Sequence, residues 1–538
     1  MLRRMLGWTS WSLWISACSG PPAGETTASD GTTTGANVTT EAVTTGMGTG
    51  PTGSGEPPVT STSTSTSSTS IGETSTTTTG ATTTTTTTAD EPNETTGLAC
   101  KQAVDETGGG PIAWARTFGW PGGLNLLARH LDVSPAGTIA LADRYFGEPD
   151  FGGGPLLSDN DDDVYFALLD PDGGHLVSQQ FKTLDGGEVK DIALAFDAEG
   201  NVFFAGSFSG TLELGGDPLV AEFGIDGVAD IVWFTYDVFL AKFGPDGEHL
   251  WSRRFGDEYT QEGLDLAVTP AGRVVVAGTY KGTLDLGDEP LVAGEEFARG
   301  FFAEFTSDGE LAWSRSYFAE YDVRPFAVVV DGEGQISSWG LAADGVDFGG
   351  GPLPLNAGNY TFVAQFDALG GHRWSRRFLP EHEIRSMVVD LEGAVILTGQ
   401  YTSGDLKTDM FLARLAAEDG ALAWNKQFID LSHSFGRSLA VNSAGHIILA
   451  GESLGTIDLG GGPLGTEGGR LLAAYEPAGV LIWQRLIDGP GLDGQGTLAC
   501  GPNNQLVYSA TLSKCLDFGT GATDPIGHED LLLLRIDP

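Results

Sequence analysis

DLLLLRIDP at 530–538 and PIAWARTFG at 111–119 decide the fold, because they stand at the two ends of the repetitive part of the chain. The chain consists of repeated units, each of which contains an apolar strand followed by a strand with an aromatic residue. The first segment is such an apolar strand, but the chain stops after it. The second segment is such an aromatic strand, but the strands that precede it in the other units are missing. Pairing the two would complete one sheet and remove the exposed edge that each would otherwise present. The chain is therefore predicted to close on itself as a ring of sheets.

The aromatic strand recurs at regular intervals along the chain. Its copies are WARTFG at 114, a degenerate VSQQF at 177, WSRRFG at 251, WSRSYF at 313, WSRRF at 374, WNKQF at 424 and WQRLI at 483. Self-similarity with a period of about 60 residues is typical of an array or a propeller. The seven copies predict seven units.

Each unit contains four apolar runs, which in the second unit are IALAF at 192, NVFFAGSF at 201, DVFLAKF at 237 and HLWSRRF at 249. Short runs between Asp, Gly and Pro turns are strands. Many are apolar at nearly every position, as in RVVVAGTY at 273–280, which indicates cover on both faces. Radially stacked blades provide that cover.

We therefore predict an all-β fold, a seven-bladed β-propeller of four-stranded antiparallel blades, closed by the N-terminal strand completing the last blade. A linear solenoid is the alternative, and it would need polar capping repeats that we do not find in the sequence.

The N-terminus has the pattern of an export signal. Arg3 and Arg4 precede a short apolar run from Leu6 to Ile15, which is too short to span a bilayer. The segment resembles a bacterial lipoprotein signal, and this resemblance implies lipidation of Cys18 and, through the Ser that follows it, transfer to the outer membrane. An ordinary cleaved signal with an incidental Cys is the alternative.

Three segments follow from these patterns. Residues 1–18 are the predicted lipoprotein signal peptide and lipidated Cys, residues 19–110 a disordered Thr/Ser/Gly-rich stalk, and residues 111–538 the propeller. The stalk has almost no large apolar side chains to offset its chain entropy. We expect a monomer in the cell envelope, an outer membrane lipoprotein facing the surface or extracellular if released, that touches the membrane only through its lipid.

The repeated segments resemble the bacterial seven-bladed β-propeller repeat family common on exported proteins. The marks of the resemblance are GTLELGGDPL at 210, GTLDLGDEPL at 282, VDFGGGPL at 346 and GTIDLGGGPL at 455, each followed by an apolar strand and a turn before the aromatic strand. A weaker resemblance is to quinoprotein-type propellers, but the seven units and long glycine insertions depart from it, and no quinone site is inferred. The resemblance implies the fold and leaves the activity open.

Composition restricts the partners. With 72 acidic and 28 basic residues, the formal net charge is -44. Nucleic acids and anionic membrane surfaces are polyanions and are therefore disfavoured. Cations and neutral ligands remain possible.

Ligands are expected on one face of the disc. Short turns such as SPAG at 134 and TPAG at 269 fall on one side, and the long connections fall on the other. The longest connection, 214–237, brings Trp233, Phe234 and Tyr236 among acidic residues, which suits a sugar or a cation. The alternative is that these aromatic residues pack the insertion onto its own blade.

Two further groups of residues could form sites. Asp159, Asp161 and Asp163 offer oxygen ligands for Ca²⁺, although the cluster lacks the EF-hand pattern and a solvated loop is the alternative. Of the cysteines after the signal, Cys100, Cys500 and Cys515 could form a disulfide in an oxidising compartment, and the pairing stays open. We predict no other metal site.

The repeated Trp residues and the Arg two positions later predict packing between blades. The sequence has no nucleophile elbow, metalloprotease helix or phosphate-binding loop, so we predict no catalytic and no cofactor-binding residue. The leading hypothesis is a non-catalytic surface module that binds or displays an extracellular protein, polysaccharide or envelope component. The alternatives are a propeller-type glycan hydrolase or lyase, and a structural protein of the envelope or matrix.

Overall fold

The computed structural model of the protein describes most of the chain from residue 101 onward. The described ranges are 101–102, 109–121, 126–158, 163–222, 224, 235–343, 345–354, 360–378, 382–402, 407–429, 432–465, 468–488 and 492–537. In these ranges the one helical element is the 3-10 turn Pro502–Asn504, and no helix has the length and apolar character that crossing a membrane requires.

Seven four-stranded antiparallel sheets form a β-propeller, which confirms the predicted fold class. We number the blades along the chain, and the strands of each blade from the axis outward. Blade 1 is His130–Val133, Ile139–Tyr145, Asp163–Leu169 and His175–Leu184; blade 2 is Val189–Phe196, Val202–Phe208, Asp237–Phe243 and His249–Phe255; blade 3 is Gln261–Val268, Val274–Tyr280, Arg299–Phe305 and Leu311–Tyr317; blade 4 is Val323–Val330, Ile336–Ala342, Tyr360–Phe366 and His372–Arg377; blade 5 is His382–Val389, Val395–Thr402, Thr408–Leu415 and Leu422–Phe428; blade 6 is Ser434–Val441, Ile447–Ser453, Gly469–Tyr475 and Leu481–Asp488; blade 7 is Leu492–Cys500, Leu506–Leu512, Asp530–Ile536 and Ile112–Phe118.

The ring closes as predicted, because the fourth strand of blade 7 comes from the start of the domain. Ile112–Phe118 pairs antiparallel with Asp530–Ile536, with Trp114 opposite Arg535 and Phe118 opposite Leu531. The first strands of neighbouring blades contact one another around the whole ring, including blades 7 and 1. They therefore line the axis.

The core lies between the blades. Every residue of the second strand Val274–Tyr280 is buried, as is every residue of the third strand Asp237–Phe243. Each apolar cluster joins the facing sides of two neighbouring blades, as where Phe166 of blade 1 packs on Phe243 of blade 2 at a centroid distance of 5.2 Å. This explains the uninterrupted apolar runs, since each strand meets a neighbouring blade on either side.

Hairpins formed by the glycine-rich segments fill the spaces between blades at the outer rim. Among the described residues, four contain paired two- or three-residue strands: Thr211–Glu213 with Leu219–Val220, Thr283–Leu284 with Leu291–Val292, Ile457–Asp458 with Pro463–Leu464, and Leu516–Asp517 with Ala522–Thr523. Leu212 and Leu214, for example, are buried in the cluster shared by blades 1 and 2. These segments turn away from the loop-rich face and run down the outer edge, where Gly216 lies against the ring of His249.

The aromatic strands connect each blade to the next on the opposite face. The indole Nε1 of Trp251 donates to the carbonyl O of Ser307 in the next blade at 3.1 Å, and Arg253 NH2 donates to the O of Asp308 at 3.2 Å. In blade 1, where the Trp is missing, Gln179 Nε2 donates to Gly247 O at 2.9 Å. The repeated aromatic-basic motif thus forms a belt of contacts between blades.

Candidate functional site

The candidate site is the mouth of the axial opening on the loop-rich face, where each first strand begins. A β-bulge interrupts these strands near their beginnings. The register shifts fall between Lys190 and Ala193, Gly263 and Asp265, Pro325 and Ala327, Ile384 and Ser386, Gly436 and Ser438, and Asp493 and Thr497. Because a bulge adds residues and re-aims the side chains around it, blades 2 to 7 each gain an extra position at the mouth.

A glycine in the second strand makes room for the bulge. A Cβ on Gly278 would lie 2.1 Å from the Glu262 carbonyl O, and a Cβ on Gly399 would lie 2.0 Å from the Glu383 carbonyl O. Those distances are far too short for a side chain, so only glycine admits this close approach of the backbones. The repeated Ala-Gly or Thr-Gly of the second strands thus has a local physical reason.

One half of the mouth, which we call the mixed arc, carries both acids and bases from blades 1 to 4. Its residues are Arg144, Glu188, Lys190, Asp191, Glu262 and Arg324. Lys190 Nζ lies 2.8 Å from Glu262 Oε1, Arg324 NH1 lies 3.9 Å from Glu262 Oε2, and Arg144 NH1 lies 3.7 Å from Glu188 Oε2. These ion pairs cross from blade to blade.

Two neighbouring carboxyl groups of the mixed arc have pKa values displaced in opposite directions. Burial raises the pKa of Asp191 to about 7, helped by the negative charge of Glu262 and opposed by the nearby cations. Burial also acts against ionisation of Glu262, but Lys190 and Arg324 lower its pKa overall. Near neutral pH, Asp191 can donate a proton and Glu262 can accept one.

The other half, which we call the arginine arc, comes from blades 5 and 6. Its residues are Glu383, Arg385, Arg437, Glu452 and Arg470. Arg385 NH2 lies 2.8 Å from Glu383 Oε1, and the Glu452 carboxylate pairs with both Arg437 and Arg470. Burial lowers the pKa of Arg385, and the positive charge of Arg437 lowers it further against the opposite effect of Glu383.

Of the predicted ligand-face aromatic residues, the structure places Tyr236 beside the mixed arc. Its hydroxyl donates to Glu188 Oε1, and Lys190 Nζ lies 3.5 Å from the centroid of its ring. Burial and the bond to Glu188 raise its pKa. Trp233 and Phe234 lie outside the described residues.

The predicted calcium cluster falls partly outside the described residues, which exclude Asp159 and Asp161. Asp163 is buried at the start of a third strand and accepts hydrogen bonds from Gln180 Nε2 at 2.7 Å and Thr183 N at 3.1 Å. In the described part of the chain no group of three or more His, Cys, Asp or Glu side chains is arranged to hold a metal ion.

The cysteines lie at the last blade. Cys515 is disulfide-bonded, and Cys500 is buried in the cluster shared by blades 6 and 7. Lys101 pairs in parallel with Leu516, so a strand from the segment predicted as stalk reaches the hairpin of blade 7. Cys100 and Cys18 lie outside the described residues, and the disulfide pairing remains a prediction.

A cavity of about 800 Å³ lies at the closure seam between blades 7 and 1, lined in part by Trp120, Glu148, Asp150 and His175. Several of its polar groups are already engaged. Asp150 Oδ1 accepts hydrogen bonds from Gly152 N at 2.7 Å and Gly154 N at 3.0 Å, and His175 Nε2 lies 3.0 Å from Ser178 Oγ. Asp150 and His175 of this cavity are thus engaged within their own blade.

The sequence predicted ligands on the loop-rich face but did not reveal the charged residues of the mouth. Lys190, Glu262 and Arg324 are far apart in sequence and come together only in the ring. A signal was present, because each lies near the start of a first strand, just before a break in the apolar pattern. Aligning the units of blades 2 to 5 at that position shows the alternation Lys190, Glu262, Arg324 and Glu383.

No protein-family model matches this chain, and no curated protein sequence does. Similar solved structures include the Pan2 WD40 domain of Neurospora crassa, with TM-score 0.41 and 8% identity over 80% of this chain and 98% of that one. A quinohemoprotein alcohol dehydrogenase from Comamonas testosteroni has TM-score 0.38 and 10% identity over 79% and 76%. A polysaccharide lyase, the ulvan lyase PL25, has TM-score 0.40 and 9% identity over 80% and 96%.

Proposed function

We propose that this chain is an exported, lipid-anchored propeller that binds an extracellular saccharide, without catalysis, at the mouth of its axial opening. The observation that carries the proposal is the mouth itself, where several blades contribute partly exposed, alternately charged side chains around one opening. The signal-like N-terminus ending at Cys18 and the Thr-rich segment after it support anchoring in the cell envelope and display on a stalk.

A saccharide fits the chemistry of the mouth. Adjacent pairs such as Lys190 and Glu262 present a donor and an acceptor side by side, and each sugar hydroxyl can both donate and accept a hydrogen bond. The partly exposed rings of Phe326 and Phe435 offer apolar faces beside these polar groups. A neutral sugar is also not repelled by the large negative charge of the protein.

The test is binding of the full chain to a panel of neutral and acidic oligosaccharides, measured by calorimetry. We expect at least one saccharide to bind and Glu262→Gln to weaken that binding at least tenfold, because Lys190 and Arg324 lose their shared partner. The control is Glu310→Gln, since Glu310 pairs with Arg253 on the outer edge and is 73% exposed. If the wild-type chain binds no saccharide, or if the two variants behave alike, the proposal is wrong.

Hydrolysis of a glycan is the second candidate, favoured by the opposed pKa values of Asp191 and Glu262. In that reaction Asp191 would protonate the leaving oxygen and Glu262 would assist water or attack the sugar carbon, so that water adds across the glycosidic bond. Release of reducing ends from the same panel, abolished in Asp191→Asn, would replace the binding-only proposal with this one.

A further inference from the structure

We infer that the arginine arc is a subsite for the carboxylate of an acidic sugar residue, an inference that rests on the proposed saccharide site and names its ligand chemistry. Arg385 and Arg437 occupy the bulges of neighbouring first strands, which brings two guanidinium groups to adjacent positions at the mouth. Their side chains are 13% and 18% exposed, so both are largely removed from water.

The arginine arc brings three guanidinium groups together at one side of the mouth. Glu452 pairs with both Arg437 and Arg470, and Glu383 pairs with Arg385. In a chain of net charge -44 such a group of arginines is unusual, and charge-assisted hydrogen bonds from guanidinium groups stabilise a carboxylate.

Hydrogen-bonding groups at the same place are left without partners. Among the described residues, the Nε–H of Arg437, the Oε1 of Gln400 and the Oγ1 of Thr511 are buried and make no hydrogen bond. Gln400 and Thr511 stand at the same repeat position as Glu452, one in blade 5 and one in blade 7. A vacant donor, a vacant acceptor and a hydroxyl together suit a ligand that carries both a carboxylate and hydroxyl groups.

The ligand is expected to be short or sparsely charged. The net charge of the protein repels a dense polyanion at long range, whereas a single carboxylate feels mainly the nearby guanidinium groups because salt screens the distant charges within about 8 Å. Planar guanidinium groups also bind carboxylates in a bidentate manner. A uronate residue within an otherwise neutral glycan meets both conditions.

The experiment compares trigalacturonate with its fully methyl-esterified form, which keeps the sugar and removes the charge, on the full chain by calorimetry. We expect the wild type to bind the acid at least tenfold more tightly than the ester. Arg437→Gln should lower affinity for the acid to that for the ester. Arg376→Gln should leave both affinities unchanged, because Arg376 pairs with Asp419 at the outer edge and is 46% exposed.

Thermal unfolding of the wild type gives a second readout that does not depend on any variant. Trigalacturonate should raise the Tm more than the ester does at the same concentration. Inorganic sulfate is the third ligand, and an equal rise with sulfate would overturn the inference by showing a site for any anion. Equal binding of acid and ester would also overturn it while leaving the saccharide proposal intact. That proposal fails separately if the neutral and acidic panel does not bind at all.

Discussion

Asp265 links two blades from inside the core. Its Oδ2 accepts a hydrogen bond from the N–H of Val328 in the next blade at 2.8 Å, and the residue is 7% exposed. Burial raises the pKa of this carboxyl group to about 8, against the effect of the backbone N–H groups of Val328 and Leu266. The folded protein therefore favours the protonated form at neutral pH.

This pKa predicts a dependence of stability on pH. An unfolded Asp titrates near pH 4 and the folded Asp265 near pH 8, so the stability that the protonated group contributes is complete below about pH 4 and is lost as the pH rises towards 8. Relative to Asp265→Asn, the wild type should lose up to about 1.4 kcal/mol in free energy of unfolding per pH unit within that window. Urea unfolding at several pH values measures the difference.

The control is the same position in blade 5. Ser386 Oγ there accepts a hydrogen bond from the N–H of Leu439 at 3.0 Å. A hydroxyl group does not titrate between pH 4 and pH 8. Ser386→Ala should therefore change stability by the same amount at every pH. A constant difference between the wild type and Asp265→Asn would contradict the raised pKa.

The fourth strands contact the next blade through their Trp and Arg side chains. Trp251 and Trp313 stand at the same motif position, and each ring lies beside the guanidinium group two residues later, at 6.0 and 5.7 Å. They differ in one respect. The indole N–H of Trp251 donates to Ser307 O at 3.1 Å, whereas in the described part of the chain the buried N–H of Trp313 has no hydrogen-bond partner.

Comparing the two tryptophans isolates the contribution of one hydrogen bond between blades to the free energy of unfolding. Replacing either residue with Phe loses similar packing area, but only Trp251→Phe also loses a hydrogen bond. We expect Trp251→Phe to cost about 1 kcal/mol more in free energy of unfolding than Trp313→Phe, the usual net contribution of such a bond. Urea denaturation of the two variants at one pH gives the comparison, and equal losses would show that the indole bond adds nothing.

The strands were predictable from sequence because their signals are local. The apolar run of Val274–Tyr280 and the glycine turn before it need no knowledge of other blades, and the orphan strand Ile112–Phe118 could be matched to its partner through the repeat alone. The course of the hairpins was harder to predict from the sequence. Their glycines indicated loops, but only packing against neighbouring residues such as His249 turns them down the outer edge.

The charged mouth could not be predicted in the same way. Lys190 and Glu262 belong to different blades, and their 2.8 Å contact depends on the bulges that shift both first strands. A bulge has no strong signature in one copy of a repeat. The sequence pattern also drew attention to the aromatic residues near Tyr236, whereas the structure gives more weight to the acids and bases around it.

At the scale of the whole molecule, stability depends on the closing strand. Deleting residues 111–118 would expose the edge of Asp530–Ile536, a strand with four consecutive leucines that are fully buried in the ring. We expect the shortened protein to associate or to lose cooperative unfolding, because an unpaired apolar edge recruits other chains. Light scattering after gel filtration and a thermal scan measure both properties.

A control chain that begins at Gly109 lacks the residues before the closing strand but keeps that strand. It should remain monomeric and unfold cooperatively. If the protein without residues 111–118 is also monomeric and equally resistant to heat, blade 7 does not need its fourth strand and the ring is not held by that pairing.

Pairing of Ile112–Phe118 with Asp530–Ile536 also sets the order of events during synthesis. The ribosome makes the former strand first among those of the propeller and the latter last. At the usual 5–20 residues per second, the intervening 411 residues (119–529) take about 20 to 80 s to translate. Throughout that interval the early strand has no partner, so a nascent chain must stay shielded or unfolded until its final residues emerge.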